Sequence, residues 1–233
     1  MRLIFTCLVL GLVSPGLLSQ SLADLSSTCK TVAPHLESRV DRIYTEASTS
    51  KTFDNRQLKH LFDLVHSRFL HHYVPLSDFN DLEQKQFDCL TATALFSHLL
   101  QRLQVDHQVI ETSYHIFIIA RTSEGRVLLE TTDRWSGFVT DQGLIEEKIA
   151  AYRSYRPTSR ELSNMIDYRY NTELFQVVPP EKISGLLLYN QAVKAFNNHQ
   201  WNECRMLLAR ARQIYPTPRI DEMFALLHAV ALR

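Results

Sequence analysis

The stretch HIFIIARTSEGRVLLETTD, residues 115–133, contains two runs of mainly apolar and β-branched residues. Such runs are typical of β-strands, and the glycine in the intervening TSEG suits a tight turn. The sequence therefore predicts a β-hairpin. Residues from His115 to Ala120 are apolar on both faces of the first strand, which predicts a central strand covered on both sides.

The segments around this hairpin predict a mixed fold. QVIETS, residues 108–113, reads as a further strand, because it combines β-branched residues with a polar end. Helical periodicity on either side predicts helices that begin after Pro34, at Asp54 with Gln57 in a capping box, near Leu144 and after Thr158. An order of helices, a short antiparallel sheet and more helices indicates the α+β class.

Length and charge limit the function. The chain has 233 residues, with 25 basic and 25 acidic side chains. This balance gives no electrostatic reason to expect nucleic acid or an anionic membrane surface as a partner. The apolar content is that of a packed globular protein, and the length suffices for one sizeable core with a small appendage.

The first 23 residues have the pattern of a secretory signal peptide. Arg2 precedes an apolar run that is too short to span a bilayer, and Ser21-Leu22-Ala23 offers the small residues of a cleavage site. The alternative is an N-terminal membrane anchor. No other run is long enough for a membrane span, so we expect an exported protein, periplasmic or secreted.

The mature chain would keep three cysteines, Cys29, Cys89 and Cys204. An odd number leaves at least one thiol unpaired in the monomer. Cys29 and Cys204 either form a disulfide or remain reduced, small and buried. The cysteine and histidine spacings do not match a zinc site, and no nucleotide or flavin motif is present, so we expect no metal and no cofactor.

Cys89 lies at the start of a leucine-rich helix in EQKQFDCLTATALFSHLL, residues 83–100. One interpretation is a small buried hydrophobe. The other is a nucleophile, because with Asp88 as N-cap the unpaired N–H groups of the helix favour a thiolate and can hold an oxyanion. The second interpretation predicts a pKa below the roughly 8.5 of a free cysteine.

A histidine and a carboxylate that could assist such a thiol follow Cys89 in the sequence. His115 begins the central strand 26 positions downstream, and the hairpin brings Glu130 back 15 positions later. A thiol that attacks an acyl group needs a histidine for its proton, and the histidine needs an acceptor to orient it. Asp133 is the alternative acceptor. Each residue also has an ordinary interpretation, as a core cysteine, a structural histidine or a surface carboxylate.

These residues resemble the transglutaminase-like core of the papain-like cysteine enzymes over roughly residues 55–135. The likeness rests on Cys89 with Thr91, on the leucines that follow, on the HIF strand and on VLLETTD. It implies a transglutaminase-like domain at residues 24–180 with catalytic Cys89, His115 and Glu130, although the family usually has aspartate at the third position. Gln84 and Gln86 are the upstream candidates for a side-chain oxyanion donor, by proximity only.

Residues 181–233 predict a helical tail. The segment from Leu186 to Arg219 resembles one tetratricopeptide repeat (TPR), with Ala192, Trp201 and Pro216 at the spacing of that repeat. An ordinary helical hairpin is the alternative. One repeat is not stable alone, so we expect the tail to dock on the helices around residues 144–170. The apolar residues expected there are Leu186, Leu187, Leu188, Phe224 and Leu227.

The resemblance implies a thiol hydrolase or acyltransferase that attacks amide carbonyls of a peptide or protein, as a cysteine protease, an amidase or a transglutaminase. The first alternative is an inactive transglutaminase-like fold that binds a protein partner through its tail or acts as a scaffold. A purely structural helical protein is the third hypothesis. Trp135, close behind Glu130, is either a core aromatic or a wall of the acyl-binding cleft.

Overall fold

The chain folds as an α+β protein, the class that the sequence predicts. The computed structural model describes residues 22–25, 33–48, 53–154 and 174–231. In these ranges helices flank a five-stranded antiparallel sheet. Most of the predicted signal peptide, Cys29 and the helix predicted after Thr158 lie outside the described residues.

The helices begin close to the predicted positions. Asp54 caps its helix in the predicted capping box: its side chain accepts from the Gln57 N–H at 2.7 Å, and the Gln57 side chain accepts from the Asp54 N–H at 3.0 Å. None of the described helices is long and apolar enough to cross a membrane. Their bounds are α1 Leu22–Leu25, α2 Pro34–Ala47, α3 Asn55–Arg68, α4 Cys89–Arg102, α5 Gln142–Ser154, α6 Ile183–Asn197, α7 Trp201–Ile214 and α8 Pro218–Ala231, with short 3₁₀ helices at Phe79–Gln84 and Pro180–Lys182.

The main sheet has the order β6-β5-β4-β3-β7 and contains the predicted hairpin at its centre. Thr122 pairs with Gly125 across the turn, where Gly125 has a φ of +134° that a side chain would strain. A separate parallel pair, β1 with β2, precedes α4. The strands are β1 His72–Tyr73, β2 Gln86–Phe87, β3 His107–Thr112, β4 Ile116–Thr122, β5 Gly125–Leu129, β6 Phe138–Val139 and β7 Phe175–Val178.

Side chains alternate between two apolar layers on the sheet. Ile116, Ile118 and Leu129 belong to the main core, together with the leucines of α4. Phe117 and Leu128 point to the other face, in a cluster completed by α5. The central strand is therefore covered on both sides, as predicted, because its odd and even residues are both apolar.

The tail packs on a different surface from the one predicted. Leu186 and Leu187 of α6 enter the main core, and α6 packs on α4 and α1. Leu188 and Leu227 instead join a second cluster inside the tail, against which Phe224 is partly buried. The prediction of docking on residues 144–170 was wrong for the part that the structure describes, because α5 covers the opposite face of the sheet.

A buried ion pair also joins the tail to the sheet. Arg219 of α8 donates to Oε1 of Glu111 in β3, whose other oxygen accepts from Gln176 at 2.9 Å. The Arg219 side chain is 14% exposed and the Glu111 side chain 4%. Gln176 also donates to the Tyr215 hydroxyl at 2.6 Å. This network fixes α8 relative to the sheet.

Candidate active site

Cys89 is held at the first position of α4 by the segment before it. In the parallel pair Tyr73 lies opposite Phe87, and the chain then reaches Asp88. Asp88 is the N-cap, as predicted: its side chain accepts from the Thr91 N–H at 2.8 Å, and Thr91 Oγ1 accepts from the Asp88 N–H at 2.8 Å. The helix N-terminus therefore lies directly at the thiol.

His115 and Glu130 are in direct contact. His115 Nε2 lies 2.6 Å from Oε2 of Glu130, and their side chains are 17% and 8% exposed. The Tyr152 hydroxyl donates to the same Oε2 at 2.6 Å, and the Thr132 hydroxyl donates to Oε1 at 2.8 Å. Because Nε2 contacts Glu130, a role as base for this ring would fall to Nδ1.

The negative charge of Glu130 is stabilised by the hydrogen bonds that its carboxylate accepts. Burial alone would raise the pKa of Glu130, but the hydrogen bonds from His115, Tyr152 and Thr132 outweigh burial and lower the pKa. Glu130 is thus an anion at neutral pH. An anion beside an imidazole favours the imidazolium, which is the form that a proton transfer from a thiol creates.

Asp133 has a different task from Glu130. Its Oδ1 accepts from the backbone N–H groups of Trp135 at 3.0 Å and of Ser136 at 2.9 Å, so it closes a turn after the hairpin. The carboxylate at His115 is therefore Glu130. The hairpin register explains why: Ile118 pairs with Leu129, which puts Glu130 and His115 on the same face near the strand ends.

One contact and two electrostatic interactions relate the start of α4 to this pair. The hydroxyls of Thr93 and Thr131 are 3.0 Å apart and buried, which joins α4 to the residue after Glu130. The Glu130 carboxylate acts electrostatically on both Cys89 and Tyr73. Besides burial, Cys89 is in turn one of the causes that raise the pKa of Tyr73, so the phenol and the thiol are neighbours. Thiol, phenol and carboxylate therefore share one electrostatic environment.

The Cys89 thiol is not acidified in this arrangement. Burial, followed by the carboxylates of Asp88 and Glu130, raises the pKa of Cys89 to about 12. The N–H groups of Leu90 and Cys89 lower it, as the sequence predicts for a helix start, but by less. The expected low pKa was therefore wrong for the resting site, because the sequence shows Asp88 and Glu130 but not how strongly packing shields the thiol from water.

Two tyrosines of this site, Tyr73 and Tyr152, are not predicted from the sequence. Tyr73 lies on a two-residue strand, and Tyr152 reaches Glu130 from α5, 22 positions away. Neither strand length nor helical periodicity points to them. The upstream side chain that interacts electrostatically with the thiol is thus Tyr73, whereas the sequence suggested Gln84 and Gln86.

Trp135 is fully on the surface. Its side chain is 87% exposed, so its interpretation as a core aromatic was wrong. The Arg134 guanidinium lies 5.2 Å from the centre of its ring. The loop behind it is tight, since a Cβ at Gly137 would lie 2.1 Å from the Asp133 carbonyl oxygen. The wall of an acyl-binding cleft remains the other interpretation of Trp135.

Cys204 is a free, buried thiol inside the tail cluster. Burial raises its pKa to about 11, so it is a packing residue and chemically quiet. Ala192 is buried in the same cluster, against which Trp201 is partly buried. Over the described residues, histidine, cysteine and carboxylate side chains form no group of three or more arranged for a metal ion.

Comparison with known proteins does not place the chain in a family. No protein-family model matches it. No curated protein is significantly similar to it.

Proposed function

We propose that this protein is a thiol acyl-transfer enzyme of the transglutaminase-like type, with Cys89, His115 and Glu130 as its catalytic residues. The observation that carries the proposal is the 2.6 Å contact of His115 with Glu130, beside a helix that begins at Cys89. The substrate class is a peptide or protein with a reactive amide carbonyl. The pattern of residues 1–23 supports action outside the cytoplasm, in the periplasm or in secreted form.

The mechanism follows from the protonation states. At rest the thiol is protonated, because its pKa is raised. Nδ1 of His115 accepts the proton as the sulfur attacks the carbonyl carbon, and Glu130 stabilises the imidazolium. The imidazolium then donates the proton to the departing amine, which leaves a thioester on Cys89. Water or a second amine cleaves the thioester and regenerates the thiol.

The oxyanion of the tetrahedral intermediate needs donors near the sulfur. The backbone N–H groups of Cys89 and Leu90 at the start of α4 are the main-chain donors in this proposal, because both already act on the thiol. The Tyr73 phenol is the side-chain donor in this proposal. Tyr73 is 54% exposed, but the partial burial of its phenol, together with Cys89 and Asp88, raises the pKa of Tyr73 above its usual value, so the phenol keeps its proton.

We expect Tyr73→Phe to slow acylation of Cys89 by about fivefold, because one net hydrogen bond is worth about 1 kcal/mol. The measurement is the rate of thioester formation from an activated ester. Tyr44→Phe is the matched control. Tyr44 lies on α2, and its ring packs against the guanidinium of Arg102 at the far end of α4 from the thiol. An unchanged or faster rate in Tyr73→Phe would show that the phenol restrains the thiol and does not assist it.

The proposal is tested by trapping the acyl-enzyme. The purified protein is mixed with p-nitrophenyl esters of blocked amino acids, with and without an added primary amine, and Cys89 is examined by mass spectrometry. We expect a thioester on Cys89 that water or the amine resolves. It should be absent in Cys89→Ala and retained in Cys204→Ala, which removes the buried thiol of the tail. A Cys89 that reacts only after unfolding contradicts the proposal.

One observation favours a second candidate function. A thiol whose pKa is raised to about 12 by burial and two carboxylates also fits an inactive fold. In that case the protein would be a binding or scaffold module that offers its tail to a protein partner. The trapping experiment separates the two candidates, because a scaffold forms no thioester in the folded state.

A further inference from the structure

The tail reaches the segment that carries the thiol. Asn190 of α6 donates through Nδ2 to Oδ2 of Asp88 at 3.2 Å, across 102 positions of sequence. Asp88 is 3% exposed, and its other oxygen holds the Thr91 N–H that begins α4. Asn190 therefore contacts the residue that caps the helix and directly precedes Cys89.

The next residue of α6, Gln191, binds the turn that follows β1. Gln191 donates to the backbone carbonyls of Leu76 at 3.2 Å and Ser77 at 3.0 Å. Leu76 has a φ of +58°, which is a costly conformation for leucine, so these bonds stabilise a strained turn. This turn follows Tyr73, whose phenol interacts electrostatically with the thiol. Two adjacent side chains of α6 thus hold both segments that flank Cys89.

We propose that Asn190 is a positioning residue of the active site: it acts through Asp88 on Cys89, and the tail is thereby a working part of the site. The proposal rests on the function proposed above. It goes further, since a helical tail that only completed a core would need apolar contacts such as Leu186 and Leu187, and no polar contact with a helix cap.

The charges around the thiol make the coupling measurable. Asp88 faces Cys89 from the N-cap, Glu130 from the end of β5 and Tyr73 from β1, with His115 as the proposed base. Burial raises the pKa of Asp88, and hydrogen bonds from Thr91, Leu90 and Asn190 oppose this rise. A charge introduced at position 190 therefore changes the field that Cys89 experiences.

The test uses two variants of opposite charge, Asn190→Asp and Asn190→Lys, in the full chain. The measurement is the rate of Cys89 alkylation by iodoacetamide against pH, followed on the Cys89 peptide by mass spectrometry. We expect the inflection to move to higher pH in Asn190→Asp and to lower pH in Asn190→Lys. Each shift should be about half a unit, less than the roughly one to three units that an adjacent charge causes.

The matched controls are Asn202→Asp and Asn202→Lys, at an exposed position of α7. We expect no shift in either. Loss of packing cannot move the inflection in opposite directions, so opposite shifts at position 190 support the proposal. Equal or absent shifts overturn it. If Asn190→Asp does not fold, Asn190→Lys alone must lower the inflection, and an unmoved inflection overturns the proposal.

This readout does not depend on turnover. If the inflection responds to position 190 but no thioester forms on Cys89, the coupling stands and the acyl-transfer function fails. If thioesters form but the inflection does not respond, the function stands and the coupling fails.

Discussion

Replacing Glu130 by glutamine is expected to lower the rate of Cys89 acylation by about a hundredfold, the lower end of what a general acid–base contributes. The amide can still accept from His115 Nε2, so the ring keeps its orientation. It carries no charge, so the imidazolium loses the anion that stabilises it at 2.6 Å. The measurement is the rate of thioester formation at neutral pH with an activated ester.

Asp133→Asn is the matched control for Glu130→Gln. It makes the same chemical change three positions away, at a carboxylate whose hydrogen bonds close the turn at Trp135 and Ser136. We expect a rate within about twofold of the unaltered protein, since an asparagine oxygen caps such a turn equally well. A larger loss from Asp133→Asn would reverse the assignment of the acid. Small and equal losses would indicate a Cys–His dyad.

Arg219→Met is expected to lower the free energy of unfolding by about 3–5 kcal/mol, the cost of breaking a buried ion pair from one side. Glu111 is 4% exposed, and without Arg219 its Oε1 would lose that charged donor while Oε2 kept the neutral donor Gln176. The packing of the guanidinium over Tyr189, 5.4 Å from the ring centre, would also be lost. The measurement is unfolding by urea.

Arg212→Met is the control for this loss. Arg212 of α7 pairs with Asp221 of α8, within the tail, but both side chains are more than half exposed. Exposed pairs contribute about 0–1 kcal/mol, so we expect little change. The double variant Arg219→Met with Glu111→Leu should recover much of the stability, because no buried charge remains. Equal losses in the two single variants would mean that the buried pair does not hold the tail.

The long elements of this fold could be predicted from the sequence because their patterns are local. The hairpin of β4 and β5 follows from two apolar runs around a glycine turn, and the start of α3 follows from Asp54 and Gln57. The short strands β1, β2 and β6 have two residues each, and such elements show no periodicity. They form because tertiary contacts supply the hydrogen bonds that local preference does not.

In the candidate site, too, residues joined by a local element could be predicted from the sequence, and residues from other elements could not. His115 and Glu130 could be predicted as a pair because one hairpin joins them. Tyr73, Tyr152 and Asn190 could not, because each reaches the site from a distant element. The thiol pKa is also non-local: the helix start is visible in the sequence, whereas the removal of water from Cys89 follows only from the packed structure.

The surroundings of Cys89 are completed late when the chain is made. Synthesis proceeds from the N-terminus, and segments fold as they emerge. His115 and Glu130 are 15 positions apart, so the ribosome can release them as a closed hairpin early. Asn190 meets Asp88 across 102 positions, and Arg219 meets Glu111 across 108. A nascent chain therefore carries a thiol whose surroundings are incomplete until α6 has left the ribosome.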